Sequence, residues 1–470
     1  MSFDRPMPPS VPATNAADFV AALRALRVWA DLTYRALAIR SKSLGHCLPM
    51  STTASTLGRN TLPRREFVAQ FVAACGLDPD QAKEWTAARD SLAAGQPAVA
   101  RGASEQPATK PAATDDIAPA MLPPDVPDFT GRTVEADTLF GRLDRERRGG
   151  AAALPVAAVF GMAGSGKTAL ALHVAHRLAA SYPDGQLWFD LGGAVGCPLG
   201  AGEVLSRMLR ALGMPSRAIP RRLDERAETY RMRLAGRQVL VVLDNTRGEE
   251  QVRPLLPGTG TCGVLVTSRR RLTGIEGAHH LELAVFPEAD ALGLLSRIVG
   301  VERLRSQLAE AGEIVARCGR LPLAVRVAGA RLAARPAWPL RRLAEILGDE
   351  RRRLDQLATG DLAVRSSLLA SYQDLQQEQQ RLFRLLGLFD AEDFPGWLAA
   401  AVLGGPPTRA ADHLEALVDA QLLGVAGVDP GGQLRYRFHG LVKLFAREQA
   451  RAEESDECRW SSVCEGQAPA

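Results

Sequence analysis

The chain has 470 residues, 46% of them hydrophobic and 23% charged, with a formal net charge of +4. That is enough apolar surface for several cores and too much chain for one, so three or four domains are expected, and the small net charge leaves any nucleic-acid role to local patches. No apolar run is long enough to cross a bilayer, the opening MSFDRPMPPS lacks a basic and then apolar signal segment, and the seven cysteines are odd in number without metal-type spacing, so a soluble cytoplasmic protein without disulfides or zinc is expected.

Residues 1–16 read as a disordered N-terminus and residues 17–92 as an all-α unit of five helices. Phe19, Leu23 and Leu26 recur at helical spacing, and Thr33 stands where it can cap a second helix. Ser51-Thr52-Thr53-Ala54-Ser55-Thr56-Leu57 reads as a third helix, with residues 64–75 and 78–92 as the fourth and fifth. Between Arg24 and Arg65, eight basic residues (Arg24, Arg27, Arg35, Arg40, Lys42, Arg59, Arg64 and Arg65) stand against one acid, Asp31, a local charge of +7. The unit resembles the repressor-like helix-turn-helix domains at the head of many bacterial regulators, in which the third helix lies in the major groove. The resemblance implies DNA contacts from Ser51, Thr52, Thr53, Ser55, Arg59, Arg64 and Arg65. The connection over residues 40–50 is longer than the tight turn of a minimal helix-turn-helix. Two other readings stand beside DNA binding: a helical domain that binds protein, and a solvated basic face.

Residues 93–127 are rich in Ala and Pro and almost free of large apolar residues, which reads as a linker. As flexible coil it spans roughly 30 to 35 Å.

Residues 128–285 begin with Asp128-Phe129-Thr130-Gly131-Arg132 and a helical stretch over 134–145. Strand candidates then alternate with helices at 156–160, 186–191, 239–243, 264–267 and 280–283, implying a parallel sheet covered on both faces. The first strand runs directly into Gly161-Met162-Ala163-Gly164-Ser165-Gly166-Lys167-Thr168, which fits G-x-x-x-x-G-K-[ST]. Glycines at those places let backbone N–H groups curl round phosphate oxygens, Lys167 reaches the outer phosphates, and the Thr168 hydroxyl can ligate Mg²⁺. The same residues also match the looser G-x-G-x-x-[GA] dinucleotide pattern through Gly164, Gly166 and Ala169. The later strand over 239–243, closed by Asp244, favours a nucleoside triphosphatase, which needs a second-strand carboxylate for its metal. Thr267-Ser268-Arg269 ends the fourth strand, where a polar side chain can face a γ-phosphate.

Beyond it come Cys318-Gly319-Arg320-Leu321-Pro322-Leu323 and Tyr436-Arg437-Phe438-His439-Gly440-Leu441. The ordered set FTGR, GMAGSGKT, VLVVLDN, VLVTSR, CGRLPL and YRFHGL is similar to the NB-ARC branch of the STAND signal-transduction NTPases, and the likeness to actinobacterial members with a helix-turn-helix head is strongest. The resemblance implies an α/β P-loop domain over residues 128–285, a helical domain over 286–362 and a winged-helix domain over 363–452. In that family ADP sits among all three and locks a closed state, while ATP permits opening and self-assembly. Carried over by position, it implies Phe129, Gly131 and Arg132 beside the adenine, and Gly161, Gly164, Ser165, Gly166, Lys167 and Thr168 around the phosphates. Asp244 acts through Mg²⁺ with Thr168, Arg269 senses the γ-phosphate, Pro322 packs on the nucleotide, and His439 reaches the β-phosphate of ADP.

Two places depart from the family pattern. Asn245 stands where many relatives carry a second acid, so slow hydrolysis is expected, and Phe438-His439-Gly440 replaces Met-His-Asp. Residues 453–470 read as a polar tail with no repeat period, which suggests either a minimal switch with a separate sensor protein or a shortened form of a longer frame. Three functions remain: a DNA-binding switch set by ADP or ATP, a nucleotide-gated protein scaffold, and a DNA-stimulated motor ATPase, which fast turnover on DNA would mark. No membrane partner is expected.

Overall fold

The computed structural model describes residues 16–30, 32–44, 48, 53, 56–57, 62–94, 118–148, 153–192, 199–360 and 362–453. The chain divides into two compact units, Met1–Thr114 and Asp115–Ala470.

The first unit is helical, with helices Ala16–Trp29, Tyr34–Ser43, Arg65–Cys75 and Pro79–Ala94. Thr33 caps the second, its Oγ1 accepting from the Ala36 amide at 3.1 Å. Apolar residues at helical spacing converge on one core of Phe19, Leu23, Leu26, Leu37, Val68, Phe71 and Trp85. Phe19 meets Trp85 edge-on, with ring centroids 6.0 Å apart.

The second unit is built on a five-stranded parallel sheet in the order β2-β3-β4-β1-β5: β1 Val156–Phe160, β2 Gln186–Asp190, β3 Leu240–Thr246, β4 Gly263–Ser268 and β5 His279–Glu282. These are the five strands the sequence predicts; β1, β3 and β4 are buried on both faces and read as unbroken apolar runs. Alternation within each run assigns the faces. Ala157, Val159, Leu240, Val242 and Leu265 pack under helices Thr133–Arg148 and Lys167–Leu178. Val156, Val241, Leu243, Val264 and Val266 pack under Ala201–Ala211 and Leu223–Leu234.

The end of the stretch expected to be linker belongs to this unit. The Gln186 amide donates to the Pro119 carbonyl at 2.6 Å and the Met121 amide to the Gln186 carbonyl at 3.0 Å, extending the sheet at β2. His176 and His173 on helix Lys167–Leu178 then bond the Pro123 carbonyl at 2.7 Å and Asp125 at 3.0 Å.

Past β5, helices Glu288–Val299, Leu308–Arg317, Pro322–Ala333 and Leu340–Gly348 are followed by Val364–Gln373, Gln377–Gly387, Trp397–Leu403 and Pro407–Asp419. A small antiparallel sheet places Leu434–Arg437 between Phe394–Pro395 and Gly424–Val428, and helix Gly440–Glu453 closes the described chain. One apolar core runs through all of this, from Leu294, Ile314 and Val325 to Phe383, Leu414 and Phe445. Among the described residues no helix is long and apolar enough to cross a membrane.

Candidate functional site

The loop between β1 and helix Lys167–Leu178 is a concave backbone turn. Gly161 and Gly164 have φ of +150° and +83°, conformations that favour glycine, and contact enforces the choice. A Cβ on Gly161 would run into the Leu283 carbonyl, and one on Gly164 would lie 3.0 Å from Leu323 Cβ. Lys167 Nζ donates back to the carbonyls of Gly161 at 2.8 Å and Met162 at 2.9 Å. Burial pulls the Lys167 ammonium down to about 7, with the Arg269 charge adding to the shift and Asp244 opposing it. The Ser165 hydroxyl is buried with no hydrogen-bond partner. An orphaned donor and a buried cation at a left-handed, glycine-lined turn fit a phosphate group.

Strand β4 lies between β1 and β3 and brings their chemistry together. Thr168 Oγ1 donates to Asp244 at 3.0 and 3.1 Å, and Thr267 Oγ1 donates to the same carboxylate at 2.5 Å. Burial raises the Asp244 carboxyl, and the two hydroxyl bonds oppose that rise. One carboxylate and one hydroxyl suit Mg²⁺, which keeps several waters and takes its other oxygens from substrate phosphates. Among the described residues no group of three or more His, Cys, Asp or Glu could hold a metal by itself. Asn245 has φ +56°, a left-handed conformation that asparagine tolerates. Its amide donates to Thr267 Oγ1 at 3.0 Å and its Nδ2 to Asp190 at 3.2 Å. Asp190, which pairs in register with Asp244, escaped the sequence reading. Its position at the end of a strand, like that of Asp244, is the signal that could have found it.

The residues expected beside the base each have their own partner in the protein. The Phe129 ring stacks on His173, centroids 4.1 Å apart. Gly131, at φ +66°, leaves the space of its missing Cβ to the Asp290 side chain. Arg132 is buried, donates to Glu135 at 3.0 Å and to the Ala284 carbonyl, and lies 4.7 Å over the Phe286 ring. Its Nε is buried without a partner. Pro322 opens helix Pro322–Ala333 beside Gly166, and the next amide, Leu323, donates to the Gly164 carbonyl at 3.1 Å. The segment Leu321 to Leu323 thus covers the cradle.

His439 bonds the carbonyl of Gly319 at 2.8 Å through Nε2, while its Nδ1 accepts the Leu441 amide at 3.3 Å. Those partners define a neutral ring with the proton on Nε2. Surrounding protein lowers its basicity below the ordinary 6.5, a shift that the Gly319 bond opposes and the Arg320 charge reinforces. Beside it a cavity of about 670 Å³, lined by Met162, Val285, Gly319, Arg320, Phe438 and His439 among others, adjoins the cradle through Met162. Arg269 NH1 donates to Ser371 Oγ at 3.1 Å.

In the helical head, Thr53 is fully buried, which corrects its expected place on a DNA-contacting surface. A stretch rich in Ser and Thr offers no apolar contrast by which its buried residues could be read. Ser51, Thr52, Ser55 and Arg59 lie outside the described residues. Arg64 and Arg65 are exposed, and Arg65 pairs with Asp90 at 3.1 Å. Arg24 and Arg27 donate to the carbonyls of Leu57 at 2.6 Å and Leu32 at 2.8 Å.

The NB-ARC domain family matches residues 133–305. The chain is 48% identical over 352 residues to the Regulatory protein AfsR of Streptomyces coelicolor, covering 74% of this chain and 35% of that protein. It is 46% identical over 387 residues to the Regulatory protein AfsR of Streptomyces griseus, covering 82% and 38%. It therefore spans little more than a third of the length of these relatives. The solved STAND protein with a tetratricopeptide repeat sensor from Pyrococcus horikoshii matches at 20% identity over 74% of this chain and 47% of that one, with a TM-score of 0.30, too low to add to the assignment. The phosphate cradle and the buried aspartate across β4 both lie within residues 133–305, the span that matches the NB-ARC domain family.

Proposed function

We propose that this chain is a nucleotide-dependent switch, in which ADP or ATP sets the arrangement of its parts and thereby the presentation or self-association of the N-terminal head. Residues 128–285 bind the nucleotide, residues 286–362 act as the helical domain and residues 363–452 as the winged-helix domain. One observation carries the reading: the segment that covers the cradle, bonded through Leu323 to Gly164, is held at its other end by His439. A nucleotide in the cradle bears on a segment that the C-terminal part also grips. That the Streptomyces relatives are regulatory proteins agrees with this role.

Gly161, Gly164, Ser165 and Gly166 present donors to the phosphates, and Lys167 exchanges two carbonyl partners for phosphate oxygens. Thr168 and Asp244 hold Mg²⁺, which neutralises charge on the outer phosphates when bound. Arg269 meets the γ-phosphate. Arg132 and Pro322 lie against the base, with Phe129 fixing that loop through its stack on His173. Asn245 cannot take a proton from water as a carboxylate does, so turnover is slow and suits a timer. Denaturing the purified protein and identifying the released nucleotide, followed by mass measurement in ADP and in a non-hydrolysable ATP analogue, tests this. Co-purified ADP and a larger species with the analogue are expected; no nucleotide and no change of mass refute the switch.

For the head, the basic composition supports DNA binding as the output. The engagement of Arg24, Arg27 and Arg65 within the head favours a second reading, a protein-recruiting scaffold, because it occupies donors that phosphates would otherwise take. Titrating the whole chain against duplex DNA separates them. Affinity falling with salt at a log–log slope of about −0.9 per phosphate contact supports DNA; absence of salt-dependent binding assigns the head to protein.

A further inference from the structure

The loop that begins at Asp128 and the segment that covers the cradle meet on one helix. Pro322 opens helix Pro322–Ala333, and Arg326, four residues on, lies on the same face. Arg326 donates to both carboxylate oxygens of Asp128, Nη1 to Oδ2 at 2.9 Å and Nη2 to Oδ1 at 2.7 Å, and both side chains are half-buried. The neighbouring helix Glu288–Val299 gives the loop a second seat. Its Asp290 and Gly293, three residues apart and so on one face, meet Gly131 and Thr130. The Asp290 side chain fills the space of the missing Gly131 Cβ, and a Cβ on Gly293 would lie 3.3 Å from Thr130 Cγ2. Arg132 then lies over Phe286, which belongs to the apolar core of those helices. A forked guanidinium–carboxylate pair fixes orientation as well as distance, which a single hydrogen bond does not.

Resting on the reading that Arg132 and Pro322 lie against the base, we propose that Arg326 is a positioning residue for the nucleotide. Through Asp128 it fixes the gap between loop 128–132 and Pro322, and with that gap the preference for adenine over a smaller base. One helix carries both Pro322 and the fork that holds the opposite wall, so the width of the gap is a property of that helix rather than of the sheet. The phosphates are gripped elsewhere, by the cradle, so the pair bears on the base alone. Without the fork the loop samples other separations, and a purine must order it on binding, which weakens affinity. A uracil is too small to fill the gap and gains nothing from a loop held in place.

The test uses the whole chain and measures ADP, UDP and inorganic pyrophosphate, each with Mg²⁺, by calorimetry in the parent, Arg326→Gln, Asp128→Asn and the Arg326→Gln/Asp128→Asn pair. Each single change is expected to weaken ADP roughly tenfold, equivalent to about 1.4 kcal/mol, with UDP and pyrophosphate unchanged. The unchanged pyrophosphate affinity also reports an intact cradle. The pair should match either single change, because both remove the same contact. If the parent prefers ADP to UDP and both single changes leave that preference as it is, the positioning role is overturned and the base site stands. Equal weakening of all three ligands overturns the role as well, since it marks a general structural contribution, and so do losses that add in the pair. If the parent binds ADP no more tightly than UDP, the base reading itself fails.

Discussion

Removing the His439 ring tests whether the C-terminal part holds the cover of the cradle. In the parent, His439 donates to the Gly319 carbonyl at 2.8 Å, and Gly319 has φ +60° with the imidazole occupying the place of its missing Cβ. His439→Ala removes the bond, worth about 0.5–1.5 kcal/mol net, and leaves a half-buried carbonyl short of a partner, which adds to the cost. A total of about 1.5 kcal/mol corresponds to roughly a tenfold change in equilibrium. Segment Gly319 to Leu323 loosens by that factor, and ADP leaves about tenfold faster wherever its exit waits on the segment. Gly319→Ala should act in the same direction, since its new methyl drives the ring away. Acid offers a third route. The folded state lowers the His439 pKa below 6.5, so the closed contact is fully present above that pH and is lost as pH falls through the lowered value. Release in the parent should accelerate below pH 6.5, and His439→Ala should lose that part of the pH dependence. Stopped-flow release of a fluorescent ADP measures all of these, and equal rates for the parent, His439→Ala and Gly319→Ala would refute the reasoning.

Lys167→Ala should abolish tight binding of both ADP and ATP while preserving the thermal transition, because the ammonium serves the cradle and its loss leaves the core intact; calorimetry with unchanged affinities would remove the phosphate assignment. Asn245→Asp places a carboxylate beside Asp244, and single-turnover hydrolysis should rise toward about 10²-fold, the low end for general-base help, since Asp190 repels the new charge; an unchanged rate would locate the slow step elsewhere. Cys75 and Cys318 are buried, and burial pushes both thiols up to about 12. Both should resist alkylation at pH 8 until the chain unfolds, as read by peptide mass spectrometry. Because the folded thiols keep protons that unfolded ones lose above 9.0, each also makes stability fall by about 1.4 kcal/mol per pH unit through that window.

Much of the sheet was legible because its three central strands are buried on both faces and its cradle is one contiguous motif. Strand ends were less so. Strand β3 runs on through Asp244 and Asn245 to Thr246, which still pairs with Ser268, although the apolar run stops at Leu243. Residues 118–127 looked like linker because Ala and Pro dominate, yet Pro119 and Met121 join the sheet through backbone groups that composition does not report. The Thr168–Asp244 bond was foreseeable, since both positions have a shared chemical purpose. Arg269 with Ser371 and His439 with Gly319 were not, being 102 and 120 residues apart in sequence. The family resemblance implies Phe129 on the adenine side, and it says nothing of a partner ring. The stack on His173 depends on where helix Lys167–Leu178 presents that ring.

The distribution of polar and apolar contacts in the second unit says which boundary a nucleotide can open. The helices from Glu288 onward and those from Val364 onward share one apolar core, which from the residues before 285 takes in only Ala163, with Met162 packed against it. The sheet end meets that block chiefly through directional contacts: Leu323 on Gly164, Arg269 on Ser371, Arg247 on Asp374, and the Arg326–Asp128 pair at 2.7 and 2.9 Å. Burying apolar surface stabilises by area and offers a phosphate nothing to compete for. Hydrogen bonds and partly exposed ion pairs are worth about 1 kcal/mol each and can be exchanged one for one with phosphate oxygens. The cradle lies on the polar boundary, and His439 lies within the apolar block, pinning the strip of that block that reaches the cradle. A nucleotide bound in the cradle therefore acts on a boundary where few contacts must be lost.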